Sequence, residues 1–236
     1  MLSKTSRVAT AFAVVLLAAS CSRWIPWRNE KVNEEVNLSF TLEQNLITLP
    51  STLLIDNHSG RFILGTAARQ TVIDEGFAAR GRALQIREKE SLPLSPVRMN
   101  LQGVADAIIG ADAWRNRAIS IDYRSGLVTY QKSGIERSQM QIFRYRDEPS
   151  VWIYVNGQRI AAVVDTSSPD TLVLPGAYSR GTVGVVVAGT NFGPTDVQFA
   201  NVTRARIGNR LLSRFLVSID YGNRVVGLWR DPRIPM

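Results

Sequence analysis

Two residue types are nearly missing from this chain of 236 residues: it has one histidine, His58, and one cysteine, Cys21. A structural zinc site draws on several Cys or His ligands, so that chemistry is excluded. A Cys–His nucleophile would need these two residues together. A single Cys also excludes an intramolecular disulfide. Lysine is scarce too, with Lys4, Lys31, Lys89 and Lys132 against 24 arginines. The basic residues form no adjacent run, and no aromatic-and-basic motif of an RNA-binding sheet is present, so nucleic acid is not an expected partner. What the chain does have is enough apolar material for a core, 45% hydrophobic against 20% charged residues, and a formal net charge of +8. Carboxylate, hydroxyl and backbone chemistry remain.

The N-terminus reads as a targeting segment. Lys4 and Arg7 precede the apolar stretch Val8 to Ala19, which is too short to cross a bilayer as a stable helix. It ends Leu16-Leu17-Ala18-Ala19-Ser20-Cys21. Small residues before a Cys resemble the bacterial lipobox, which implies a signal peptide over 1–20 and acylation of Cys21. Ser22 carries no Asp-type retention signal, so the expected location is the bacterial cell envelope, at the outer membrane facing the periplasm. Residues 21–36 read as a tether, in which Trp24 and Trp27 either sit at the membrane interface or pack on the first lobe.

The rest of the chain is a repeat. Ser120-Ile121-Asp122-Tyr123 returns as Ser218-Ile219-Asp220-Tyr221, and Ile109-Gly110 as Ile207-Gly208, both at an offset of 98. Phe62-Ile63-Leu64-Gly65-Thr66-Ala67 aligns with Ala162-Val163-Val164-Asp165-Thr166-Ser167 at an offset of 100. Three blocks in one order imply two copies of a unit of ordinary domain size, over 37–132 and 139–236, joined by a polar connector at 133–138. The local pattern is β. Runs at 53–55, 62–64, 118–123, 127–130, 151–155, 160–164, 215–221 and 225–229 read as strands, with a hairpin turn at Asn156-Gly157. Short helices are expected at Gly76–Arg80 and Ala111–Arg115. The expected class is all-β with short helices.

Val163-Val164-Asp165-Thr166-Ser167 resembles the aspartic-peptidase signature of an apolar pair followed by Asp-Thr/Ser-Gly/Ser. Ala107-Ile108-Ile109-Gly110 with Ile119-Ser120-Ile121-Asp122, and Arg206-Ile207-Gly208-Asn209-Arg210-Leu211-Leu212, are similar to the second half-motif of that family. The resemblance spans roughly residues 45–231 and implies two retropepsin-like lobes related by pseudo-twofold symmetry. In that family one carboxylate from each lobe shares a proton, because like charges in close contact do not both ionise. The resemblance assigns the catalytic position to Asp165, cleft support to Thr66, Thr166, Ser167, Gly110 and Gly208, and no metal or cofactor. The departure is Gly65, which stands where the second Asp belongs.

Two functions follow as expectations. One is a catalytically impaired homologue that holds an extended peptide or protein partner in the inter-lobe cleft. The alternative is an active aspartic endopeptidase that recruits a second carboxylate, from elsewhere in the chain or from a dimer partner. Asp74, Asp106 and Asp112 are the local candidates. Asp74 is expected to face away from the cleft, and Asp112 to cap or start a short helix. His58 reads as a solvated turn residue, and Asp122 and Asp220 as structural. Gly181 to Thr190 reads as a hairpin near the cleft, either flap-like or an ordinary core strand pair.

Overall fold

The computed structural model describes residues 35–87, 90–131, 134–135 and 138–233. Residues 1–34, with the expected signal peptide, Cys21 and most of the expected tether, lie outside the described residues, as does part of the expected connector. Almost every described element is a strand. The runs of β-branched and aliphatic residues fold as the alternation predicts. In Ser150–Val155, for example, Val151 and Ile153 point into the core while Trp152 and Tyr154 face solvent.

One short helix is present among the described residues, at Asn209–Leu212. The two helices expected from sequence are turns instead. In Ala111–Arg115 the bonds step by three residues, Ala113 N to Gly110 O and Trp114 N to Ala111 O, and Asn116 ends the run at φ 62°. Trp114 is fully buried, so packing rather than helix propensity sets this backbone. At Gly76–Arg80 the carbonyls of Phe77 and Ala79 accept from the Arg98 guanidinium, not from a following helical turn.

The second half of the chain forms a closed barrel. Its strand order is Ser150–Val155, Gln158–Val164, Ala205–Ile207, Leu172–Pro175, Thr190–Ala200 and Ser179–Val187. Asn156 and Gly157 both take positive φ, 48° and 82°, and set the register Val155 opposite Gln158. The hairpin made by Ser179–Val187 and Thr190–Ala200 is barrel wall, because Val183, Val185, Val187 and Val197 are buried and Val187 pairs with Ile153.

The first half repeats the central pairings. Phe62–Leu64 runs parallel to Ala107–Ile109 just as Gln158–Val164 runs parallel to Ala205–Ile207. Val72–Asp74 and Leu172–Pro175 each lie antiparallel beside that second strand. Each is also flanked in parallel by a further strand, Val97–Met99 in one half and Thr190–Ala200 in the other. The long strand Thr190–Ala200 has no unbroken counterpart. Pro93 and Pro96 divide the equivalent run into Glu90–Pro93 and Val97–Met99. The first half therefore opens into two sheets rather than closing.

A six-stranded sheet ties the halves together, with three strands from each: Val36–Ser39, Leu127–Gln131 and Ala118–Asp122, then Leu216–Asp220, Val225–Trp229 and Gln141–Arg144. At its centre the repeated segments pair with one another, antiparallel, with Ser120 opposite Ser218. Their hydroxyls are 2.6 Å apart. Antiparallel pairing of two copies about matched serines is local twofold symmetry. One hydrophobic core runs from Val36 to Leu228 through both halves. The connector contributes to a smaller cluster, since Ile135 is buried against Ala118 and Val225.

Carboxylates hold the loops. Asp56 accepts from the amides of Gly81, Arg82 and Ala83. Asp122 and Asp220 each bond the turn that follows them, at Arg124 and Asn223 respectively. Near the C-terminus, Asp231 takes the amide and guanidinium of Arg233, with Arg124 3.4 Å away. The Arg233 side-chain bonds, then its amide, hold the Asp231 carboxyl down at about 2, against 3.8 when free. This pairing stabilises the folded chain above about pH 4, and the contribution is lost as pH falls from there towards 2. A carboxyl-detected NMR titration should place the Asp231 midpoint near 2, and Arg233→Gln should move it back towards 3.8. A midpoint near 4 in the unaltered protein would contradict this arrangement.

Candidate functional site

Two loops of the same shape meet at the middle of the molecule. Each leaves the buried end of a strand, Phe62–Leu64 or Gln158–Val164, and turns through Gly65-Thr66-Ala67 or Asp165-Thr166-Ser167. The first amides bind matching carbonyls, Gly65 N to Ile109 O at 2.9 Å and Asp165 N to Ile207 O at 3.0 Å. The turns close in the same way, Ala68 N to Gly65 O and Ser168 N to Asp165 O.

The two threonines cross-link the halves. Thr66 Oγ1 donates to Val164 O at 2.6 Å and accepts from Thr166 N at 3.1 Å. Thr166 Oγ1 donates to Leu64 O at 2.6 Å and accepts from Thr66 N at 3.1 Å. Both side chains are fully buried. The four bonds form a closed, reciprocal set, so each hydroxyl is satisfied only while the other half is in place.

Gly110 and Gly208 are glycine for lack of room. A Cβ on Gly110 would meet the Gln70 carbonyl at 2.5 Å, and one on Gly208 would meet the Asp170 carbonyl at 2.2 Å. The backbone of the neighbouring loop passes at van der Waals contact in both halves, which holds the two loops against their strands.

The halves differ at the first residue of each loop, Asp165 against Gly65. Asp165 is 2% exposed. Its Oδ1 accepts from Ser167 N at 3.0 Å and Ser167 Oγ at 2.5 Å, and its Oδ2 meets Arg206 Nη1 at 2.7 Å. In the first half, a Cβ at Gly65 would lie 2.4 Å from Ile108 Cγ2. Ile108 pairs with Ile63, and Arg206 with Val163, so the two residues occupy equivalent places in the repeat. The substitutions are matched: where the chain has Asp165 it has Arg206, and where it has Gly65 it has Ile108. A side chain at residue 65 would require Ile108 to shift, and the carboxylate at residue 165 is already paired.

The remaining sequence candidates are engaged elsewhere. Asp112 is no helix cap. It is buried and accepts from Thr71 N at 2.7 Å, Thr71 Oγ1 at 2.8 Å and Ser95 N at 2.7 Å. Asp74 accepts from Gly76 and Leu101, and Asp106 from the Arg61 amide. His58 is exposed, with Nδ1 2.8 Å from the Asp56 carbonyl. Among the described residues no group of His, Cys, Asp and Glu converges to hold a metal ion.

Sequence reasoning missed three residues. Arg206 was visible as the single charge replacing Ile108 in the aligned repeat. Asn209 is 1% exposed and its amide donates to Asn45 O at 2.6 Å and Thr166 O at 2.7 Å while its oxygen accepts from Tyr123 Oη. Tyr221, which follows the second strand as Tyr123 follows the first, reaches Thr66 O at 3.4 Å. Burial pushes both tyrosine hydroxyls well above their ordinary value, so they act here as neutral hydrogen-bond donors.

A cavity of about 460 Å³ opens beside the first loop, lined among others by Thr66, Ala67, Arg69, Tyr145 and Glu148. Its lining residues Arg69 and Glu148 lie 3.8 Å apart, and Glu148 also meets Arg204, outside the lining, at 3.8 Å. Pairs so exposed contribute little to stability. No family model and no curated protein sequence matches the chain.

Proposed function

We propose that this chain is an aspartic-peptidase-like protein of two fused retropepsin-like lobes, which binds an extended peptide or protein partner between the lobes and does not cleave it. It acts in the bacterial cell envelope as a lipoprotein, anchored through Cys21 at the outer membrane and facing the periplasm. The observation that carries the reading is the matched substitution at the centre. The reciprocal threonine bonds of the frame are kept, while Gly65 is covered by Ile108 and Asp165 is paired with Arg206. A shared-proton pair needs two carboxylates in contact. A lone paired carboxylate loses the acid partner, and each acid–base role is worth about 10²–10⁴ in rate. Peptide capture needs neither, because strand addition to exposed backbone supplies affinity through main-chain bonds.

The test uses the full chain, incubated with a mixed peptide library from pH 3 to 7. The expected result is an intact library, with a subset of peptides retained on the immobilised protein. Cleavage that vanishes in Asp165→Ala would establish the alternative, an active endopeptidase with a recruited carboxylate. An intact library with nothing retained would count against the binding role.

A further inference from the structure

The cleft is not the only place where the halves differ in charge. A cavity of about 590 Å³ lies between the turn of the Thr41–Glu43/Leu46–Thr48 hairpin and the helix Asn209–Leu212, lined in part by Asn45, Thr171, Arg210, Arg214 and Arg230. Among the described residues no carboxylate lines it. Among the described residues, no acidic side chain comes within ion-pair distance of Arg210 or Arg214, although both are exposed and free to bend towards one. The corresponding cavity of the other half is mixed in charge and includes Asp112, Asp147 and Glu148. The contrast is position by position. The repeat offset of 98 places Arg210 where the first half has Asp112, and Arg214 where it has Asn116.

Like charges gathered in one concavity raise the local potential and favour an anion. Guanidinium groups present paired donors that match planar or tetrahedral oxyanions. A single carboxylate would leave one of the two guanidinium charges of Arg210 and Arg214 uncompensated. A phosphomonoester carries roughly −1.5 to −2 near neutral pH and a diphosphate more, which suits the site better. Thr171 and Asn45 in the lining are neutral residues of types that can donate hydrogen bonds.

We propose that this cavity binds a phosphate-bearing ligand, gripped by Arg210 and Arg214. The chemistry is shared by a soluble phosphorylated compound and by the headgroup of an anionic lipid. The site is separate from Asp165 and stands whatever the inter-lobe cleft binds.

The test takes the full chain at low salt. Calorimetry with inorganic pyrophosphate probes the soluble source, and co-sedimentation with phosphatidylcholine vesicles doped with phosphatidic acid probes the headgroup. The double variant Arg210→Gln/Arg214→Gln alters exposed side chains and should leave the fold intact. Arg80→Gln/Arg82→Gln removes the same charge from two exposed positions in the first half. Saturable binding to at least one probe is expected, weakened about tenfold or more in the first variant and retained in the second. Pyrophosphate binding assigns a soluble ligand, and binding to doped vesicles alone assigns a headgroup. Binding to neither probe, or equal weakening in both variants, would overturn the proposal.

Discussion

Replacing Thr66 with valine should destabilise this protein by about 2–5 kcal/mol, a large part of the 5–15 kcal/mol that holds a typical domain folded. The shape of the side chain is kept and only the hydroxyl is lost. Two groups are then stranded: the Val164 carbonyl loses a donor at 2.6 Å, and the Thr166 amide loses its acceptor at 3.1 Å. Both lie at a site where the threonines are 0% exposed, so water does not replace the lost partner. A buried donor or acceptor left unmet costs about 1–3 kcal/mol. Thr166→Val should cost about the same, through Leu64 O and Thr66 N. The double variant should fall short of the sum, because the four bonds form one ring and share their partners. Thr66→Ser keeps the hydroxyl and should lose much less. Urea unfolding followed by tryptophan fluorescence measures all four, and Thr66→Val within about 0.5 kcal/mol of the unaltered protein would mean that the reciprocal bonds do not hold the halves together.

That ring was legible in the sequence only as two threonines at an offset of 100. The repeat blocks located the loops, the strands and the two glycines, because each rests on local pattern: alternation for strands, and a small residue where backbone passes close. The centre of the six-stranded sheet is built from the repeated segments themselves, with Ser120 opposite Ser218, a pairing that the repeat allows but does not require. The helices at Gly76–Arg80 and Ala111–Arg115 were misread because their backbones are set by distant partners. Arg98 collects the carbonyls of one, and the burial of Trp114 fixes the other. Asp112 was misread for the same reason: its partners, Thr71 and Ser95, are 41 and 17 residues away. Nor does either repeat signal that one half closes as a barrel and the other opens. That difference comes from Pro93 and Pro96 acting on a strand that the second half leaves unbroken.

Arg206→Met separates the two features that distinguish this site from a carboxylate pair. The substitution keeps an unbranched side chain of similar reach and removes the charge 2.7 Å from Asp165 Oδ2. Asp165, at 2% exposure, would keep only the Ser167 amide and hydroxyl on Oδ1. Stranding one member of a fully buried ion pair costs about 3–5 kcal/mol. Here the Arg206 side chain is 45% exposed, so solvent already screens the pair, and roughly 1–3 kcal/mol is the expected loss. Asp165→Asn keeps an oxygen for Ser167 and releases Arg206 to water, so it should cost less than Arg206→Met. If the two residues act on one another, the double variant Asp165→Asn/Arg206→Met should be more stable than Arg206→Met alone, with a coupling of about 1–2 kcal/mol by urea unfolding. Strict additivity would dissolve the pair. The same variants bear on chemistry. Arg206→Met frees Asp165 Oδ2 but leaves glycine at residue 65, so it supplies no second carboxylate with which to share a proton. On the proposed reading, peptide cleavage is expected to be absent in Arg206→Met from pH 3 to 7. Cleavage appearing there would mean that Arg206 alone silences Asp165 and that a second acid already lies within reach.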